Sequence, residues 1–381
     1  MSVGPLMSRY KIAVLMEFPS ALGGERSFLS IAQELRDQFA FTFFAPRHGE
    51  LEKLLTSLNF PQIEFSLRDA SDLRREDADI ILELTQLISE HQFNLLHANS
   101  LTLSRFLGRN FTHISLPVVG HIRDMMKLSK GSISDLGQLN RLICVSEATR
   151  NYYEAMGVNS DRLLTIHNGI DVEQYPEKSA KNLHVELGCP SETKFTATIG
   201  QIGLRKGHSS LIAAIPEMAR SCPDWHFLII GECYSGKQES REYLEDLQNS
   251  VAQNGLSNRV HWLGYRNDIP LLLPQIDLLI HPARQEPFGR VLLEAAACGV
   301  AIVATDVGGT SEMLVDQESV LLIPVDDPQK LTQTSISLMQ NSTPRKQLGH
   351  QARQRILSHF TLDSSAGSHA QVWNDLLNKN Q

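Results

Sequence analysis

The sequence predicts an α/β protein of two domains, each a doubly wound parallel sheet covered by helices. Three observations predict it. The chain has 381 residues, more than one hydrophobic core normally supports. Short apolar runs such as IAVLM suit strands buried on both faces. Those runs alternate with longer helical patterns, and the alternation occurs twice. The composition, 42% hydrophobic and 20% charged with 24 Gly and 16 Pro, fits a folded enzyme and not a disordered, collagenous or disulfide-built chain.

In the first half the runs Tyr10–Met16, Phe39–Ala45, Phe93–His97, Pro117–Gly120, Arg141–Val145 and Arg162–Ile166 read as strands. After His167 the segment NGIDVEQYPEKSAKNLHVELGCPSET is polar and turn-rich, which places a linker before a new strand near Lys194. The second half repeats the grammar with Phe195–Ile199, Trp225–Ile230, Val260–Leu263, Leu278–His281, Ala301–Ala304 and Val320–Ile323. Expected domains are therefore residues 1–180 and 181–360, both Rossmann-like, with a closing helix at 361–381. Such sheets bind ligands at the carboxyl ends of their strands, and two facing sheets would place those ends on either side of one cleft. Useful residues should come directly after strands.

A net charge of −8 argues against a nucleic-acid partner, which needs clustered Lys and Arg. The cysteines Cys144, Cys189, Cys222, Cys233 and Cys298 are scattered without a CxxC pair, so neither a zinc site nor a disulfide framework is expected and a reducing cytoplasm fits. The N-terminus lacks the pattern of a signal peptide. No apolar stretch reaches the roughly 18 residues of a membrane span. Peripheral contact with the inner membrane face stays open, and Met125–Leu139 is the candidate segment for it.

Three places could carry chemistry. Gly23-Gly24-Glu25 follows the first strand and opens an amphipathic helix bearing Phe28, Leu29, Ile31 and Leu35. It reads equally as a tight turn or as a phosphate cradle at a helix N-terminus. Gly200-Gln201-Ile202-Gly203-Leu204-Arg205-Lys206-Gly207 occupies the same place in the second half. Its Arg205 and Lys206 could offset the charge growing on a departing diphosphate. The run from His281 to Gly309 holds Glu286, the turn Pro287-Phe288-Gly289, and Glu294 about two helical turns on. Glu286 would bind sugar hydroxyls and Glu294 ribose hydroxyls. The amides of Phe288, Gly289 and Arg290 would hold phosphate oxygens. Apolar neighbours around Glu294 demand a partner for its carboxylate. Asp77-Ala78-Asp79 reads as a solvated helix face, not a metal motif, so no metal and no cofactor are expected.

GGERSFL, HNGID, the Lys206-Gly207 turn, and EPFGRVLLEAAACG followed by ATDVGG resemble the retaining glycosyltransferases of family four, which have the GT-B fold. The resemblance covers nearly the whole chain, and its most specific part is the Glu-x7-Glu pattern from Glu286 to Glu294. It implies transfer from a nucleotide sugar, UDP- or GDP-linked, with the anomeric configuration retained. It also implies that Gly24 approaches the diphosphate, that His121 matches a functional histidine after the fifth strand and faces the donor sugar, and that the final helix crosses back to the first domain. Two positions depart from the family pattern: Gln201 stands where Arg is common, with Arg205 as its substitute, and His121 is followed by Ile122, Arg123 and Asp124 where a direct His-Asp pair is common.

The expected catalytic set is His121, Arg205, Lys206 and Glu286, and the donor-binding set adds Gly23, Gly24, Gln201, Phe288, Gly289, Arg290 and Glu294. Glu25, His97 and Asn168 are expected on the acceptor side or lining the cleft, with Asn168 reading equally as a hinge residue. The acceptor, a glycan, a lipid-linked sugar or a small molecule, is not specified by the sequence. A sugar-nucleotide epimerase of the same fold and a non-catalytic sugar-nucleotide-binding subunit are the competing readings.

Overall fold

The computed structural model describes residues 9–233 and 238–379. They form two compact units. The first runs to Gly169 and resumes at Leu362, and the second spans Ile170–Thr361. The boundary thus falls ahead of the expected 180, because the intervening segment packs with the second unit: Glu177 pairs with Arg353, and Tyr175 lies against Arg290 and Glu294.

The first unit is built on β1 (Tyr10–Leu15), β2 (Phe39–Ala45), β3 (Gln62–Glu64), β4 (Leu95–Ala98), β5 (Val118–Ile122), β6 (Arg141–Cys144) and β7 (Leu163–Thr165). They align in the order β3-β2-β1-β4-β5-β6-β7, and every pairing is parallel. Alternate residues of β1 feed two cores, Ala13 and Leu15 on one face, Ile12 and Val14 on the other. That is why the strand is apolar throughout. The helix Leu362–Asn378 covers the second face, where the fully buried Trp373 meets Phe39 and Phe41 edge-on at 5.3 and 5.6 Å.

The second unit contains β8 (Lys194–Ile199), β9 (Trp225–Ile230), β10 (Val260–Gly264), β11 (Leu278–His281), β12 (Ala301–Thr305) and β13 (Leu321–Ile323). Their order is β10-β9-β8-β11-β12-β13, again parallel in every pairing. In both sheets the chain winds outward from the first strand and then reverses. The reversal leaves a crevice at the carboxyl ends of β1 and β4 in one unit and of β8 and β11 in the other, where such sheets take ligands.

Among the described residues, no helix is long and apolar enough to cross a membrane. The candidate segment for surface contact includes the helix Lys130–Gln138, but Ile133, Leu136 and Leu139 are spent on the core of the first unit. Met126 stays 56% exposed.

Candidate functional site

In the second unit Lys206, His281 and Glu286 come together at the β8/β11 crevice. β8 is followed by Gly200, whose φ of +145° suits glycine, and a Cβ there would stand 3.6 Å from Cε of Lys206. The chain then turns through the short 3-10 helix Leu204–Lys206. Gly207 follows with φ +69°, packed so tightly that a Cβ would fall 1.8 Å from the Pro282 carbonyl. The Arg205 carbonyl accepts the Arg284 amide at 2.8 Å. This turn is therefore clamped to the loop after β11.

That clamp brings Lys206 onto Glu286. Lys206 Nζ donates to Glu286 Oε2 at 2.5 Å, with side-chain exposures of only 14% and 8%. His281, the last residue of β11, places Nε2 at 2.9 Å from the same oxygen. Burial alone would raise the Glu286 pKa, but the charge of Lys206 and the hydrogen bond from His281 outweigh it and hold the carboxyl far below its ordinary range. Burial lowers the His281 pKa, so the neutral ring donates its Nε2 proton to an ionised carboxylate. The Glu286 carbonyl is fixed as well, accepting the Gly309 amide at 3.2 Å.

Gly289, at φ +94°, starts the helix Arg290–Ala297. The Phe288 side chain is 2% exposed and packs 6.0 Å from Phe360, so only its backbone can serve a ligand. Arg290 Nε donates to Glu294 Oε1 at 2.8 Å. Tyr175 hydrogen-bonds both side chains, and burial first, then the Glu294 charge, push its pKa up. Glu294 thus has the partners its apolar neighbours demanded. Gln201 and Arg205 are solvent-exposed. Beside this crevice, Ile202, Gly231, Glu232, Trp262 and Gly264 line a pocket of ≈ 690 Å³.

In the first unit the helix Gly23–Glu34 follows β1. Glu25 Oε2 accepts the Leu22 amide at 3.1 Å, capping its own helix, and burial raises its pKa. A residue missed in the sequence holds this edge together. Arg123 donates to Asn99 Oδ1 at 2.9 and 3.1 Å and to Asn168 Oδ1 at 3.1 Å, and its Cδ would lie 3.0 Å from a Cβ on Gly24. Ser27 also donates to Asn168, at 2.9 Å. One guanidinium therefore links the chain just beyond β1, β4, β5 and β7. Its signal was the HIRD sequence, and that of Asn99 was its place directly after a strand.

One expected position is corrected. His121 lies inside β5, not after it, and both His121 and His97 are 0% exposed. Trp373 Nε1 donates to His97 Nδ1 at 3.3 Å, which leaves the His97 proton on Nε2, 3.4 Å from His121 Nδ1. Burial holds both rings well below their ordinary pKa, so both are neutral, and Arg123 Nη2 lies 3.2 Å from His121 Nδ1.

Comparisons with known proteins agree with this geometry. The family model "Glycosyltransferase Family 4" matches residues 22–174, and "Glycosyl transferases group 1" matches residues 179–355. The lipopolysaccharide core biosynthesis mannosyltransferase LpsB of Rhizobium meliloti is 28% identical over 56% of this chain and 60% of its own length. The D-inositol 3-phosphate glycosyltransferase of Corynebacterium diphtheriae is 28% identical over 60% of this chain and 54% of its own length. The matches thus span little more than half of these curated relatives. Among solved structures, HepE of Anabaena in complex with UDP and glucose has a TM-score of 0.85 at 22% identity, covering 97% of this chain and 100% of HepE.

Proposed function

The chain belongs to glycosyltransferase family 4, and on that premise we propose that it transfers a sugar from a UDP- or GDP-linked donor with retention of anomeric configuration. The observation that carries this reading is the joining of Lys206, Glu286 and His281 on one carboxylate oxygen at the β8/β11 crevice, beside the N-terminus of the helix Arg290–Ala297.

The donor diphosphate sits at that helix start, where backbone amides and the helix dipole favour anions. Lys206 has three ammonium protons and gives one to Glu286, so the others serve the phosphate. Arg205 adds a second, solvent-accessible cation. Glu286, held ionised, accepts from hydroxyls of the transferred sugar, and Glu294 meets the ribose with Arg290 and Tyr175 setting its orientation. The pocket of ≈ 690 Å³ beside the crevice has the size usual for a small-molecule moiety and suits the base.

In the reaction the bond from the anomeric carbon to the diphosphate oxygen breaks, and the acceptor oxygen bonds to that carbon from the same face. The acceptor's proton passes to the departing diphosphate. The cations lower the barrier because they face charge that develops only as the leaving group departs. They supply that charge without a metal, so transfer should survive a chelator. The acceptor is a glycan, a lipid-linked sugar or a small molecule.

The test is a thermal-shift panel of UDP, GDP, ADP and their sugars, followed by NMR of the product anomer. A preferred uridine or guanosine donor and a retained anomer support the reading. Inversion, or conversion of the donor sugar with no acceptor present, overturns it.

A further inference from the structure

We propose that Cys189, His226 and His261 form a binding site for one divalent transition-metal ion, with zinc the best match. The spacing along the chain hides this site. His226 is the second residue of β9 and His261 the second of β10. In the parallel register His261 lies opposite Leu228, two residues beyond His226, so both imidazoles project from the same face of the sheet. Cys189 enters from the turn ahead of β8, where its amide bonds the His184 carbonyl at 2.9 Å.

The three ligand atoms converge. His226 Nδ1 is 2.9 Å from His261 Nε2 and 3.4 Å from Cys189 Sγ, and all three lie within 4.8 Å of one another. A tetrahedral ion with metal–nitrogen bonds of about 2.0 Å and a metal–sulfur bond of about 2.3 Å needs ligand separations of roughly 3.3–3.6 Å. The separation of Cys189 Sγ from His226 Nδ1 already fits that range. The two imidazoles lie 20° from parallel with centroids 5.1 Å apart, so they part by a few tenths of an ångström while the Cys189 side chain turns toward His261, whose ligand atom is within 4.8 Å of its sulfur. Two imidazoles and one thiolate suit zinc and cobalt and do not suit magnesium or calcium. All three residues are half-buried, which leaves solvent access for a water as fourth ligand.

Binding balances simply. The Cys189 thiol loses its proton to solvent and bonds the ion as thiolate. The ring that carries the proton shared by the two imidazoles takes it on its other nitrogen instead. The site lies at the amino ends of β9 and β10, whereas Lys206 and Glu286 follow the carboxyl ends of β8 and β11. The ion therefore serves structure, fastening the turn before β8 to the sheet edge.

The full chain, stripped with a chelator and then titrated with Co(II), reads the site directly. Expected are one ion per chain, visible d–d bands of a tetrahedral centre and a near-ultraviolet thiolate-to-cobalt band, all erased by Zn(II), with a higher Tm in the zinc form. Cys189→Ser should remove the charge-transfer band, and His261→Gln should weaken binding at least about a hundredfold. Of the other described thiols, Cys144, Cys222 and Cys298 are buried and Cys233 is half-buried, so Cys233→Ser, which should leave the charge-transfer band in place, is the control. Absence of one-to-one binding in the unaltered chain overturns the proposal without any variant. Persistence of the cobalt spectrum in Cys189→Ser overturns the ligand assignment.

Discussion

Replacing Lys206 by Met should invert the acid response of the second unit. In the unaltered protein the Glu286 pKa lies below its unfolded value. Its contribution to stability is fully present above the unfolded carboxyl pKa of about 4.3 and is lost as pH falls toward the folded value. Without Lys206 the Coulomb attraction and one of two charged hydrogen bonds vanish, and burial, the largest single influence on this carboxyl, prevails. The folded pKa then rises above the unfolded one, so stability is gained on acidification and lost as pH climbs through the folded value. With exposures of 14% and 8% the pair is desolvated, and stranding its carboxylate should cost about 3–5 kcal/mol at neutral pH. Urea unfolding followed by fluorescence of Trp225 and Trp262 measures this between pH 8 and 5. The difference between variant and unaltered chain removes the titration of the histidines that Lys206 does not touch; His281, released from the Lys206 charge, gains a proton more readily beside Glu286 and shifts the difference in the same direction. That deficit should shrink as pH falls; a deficit that stays constant or widens refutes the reasoning.

Three other outcomes are expected. Glu294→Ala leaves Arg290 without its 2.8 Å partner and should weaken nucleotide binding by about 10- to 100-fold, with Tyr175→Phe at or below the lower figure, both by calorimetric titration. Gly308→Ala places a Cβ 1.9 Å from the Glu286 carbonyl at φ +54°, whereas Gly188→Ala at φ +63° meets nothing within 4 Å. The second should cost only the backbone strain of about 1–2 kcal/mol, while the first should also lower kcat/KM about a hundredfold through a displaced Glu286. Trp373→Phe removes the donor to His97 Nδ1 and should cost about 2–3 kcal/mol in urea unfolding, with the His97 tautomer shift visible in its nitrogen NMR signals.

Most of the fold was legible because its strands are apolar on both faces: Phe39–Ala45, Trp225–Ile230 and Leu278–His281 have the ends the sequence suggested. β3 escaped notice because QIE is three residues long with no apolar run. The unit boundary lay earlier than composition implied, since Tyr175 looks like a linker residue until Arg290 and Glu294 stand beside it. Lys206 and Glu286 were each visible as strand-following residues, but not their contact, which joins positions 80 apart. The full burial of His97 and His121 was not legible, for a physical reason. A histidine near a strand end reads the same whether it meets ligand or core, and its partner Trp373 lies 276 residues from His97.

Glycosyl transfer centred on Glu286 is tested most directly by donor turnover. With the nucleotide sugar that best stabilises the chain, release of the nucleoside diphosphate should fall about 10²- to 10³-fold in Glu286→Gln, as when one aimed polar group is lost from an active site. Binding of the free nucleotide should persist, showing an intact fold. Turnover within a few-fold of the unaltered enzyme in that variant would contradict the assignment of this site.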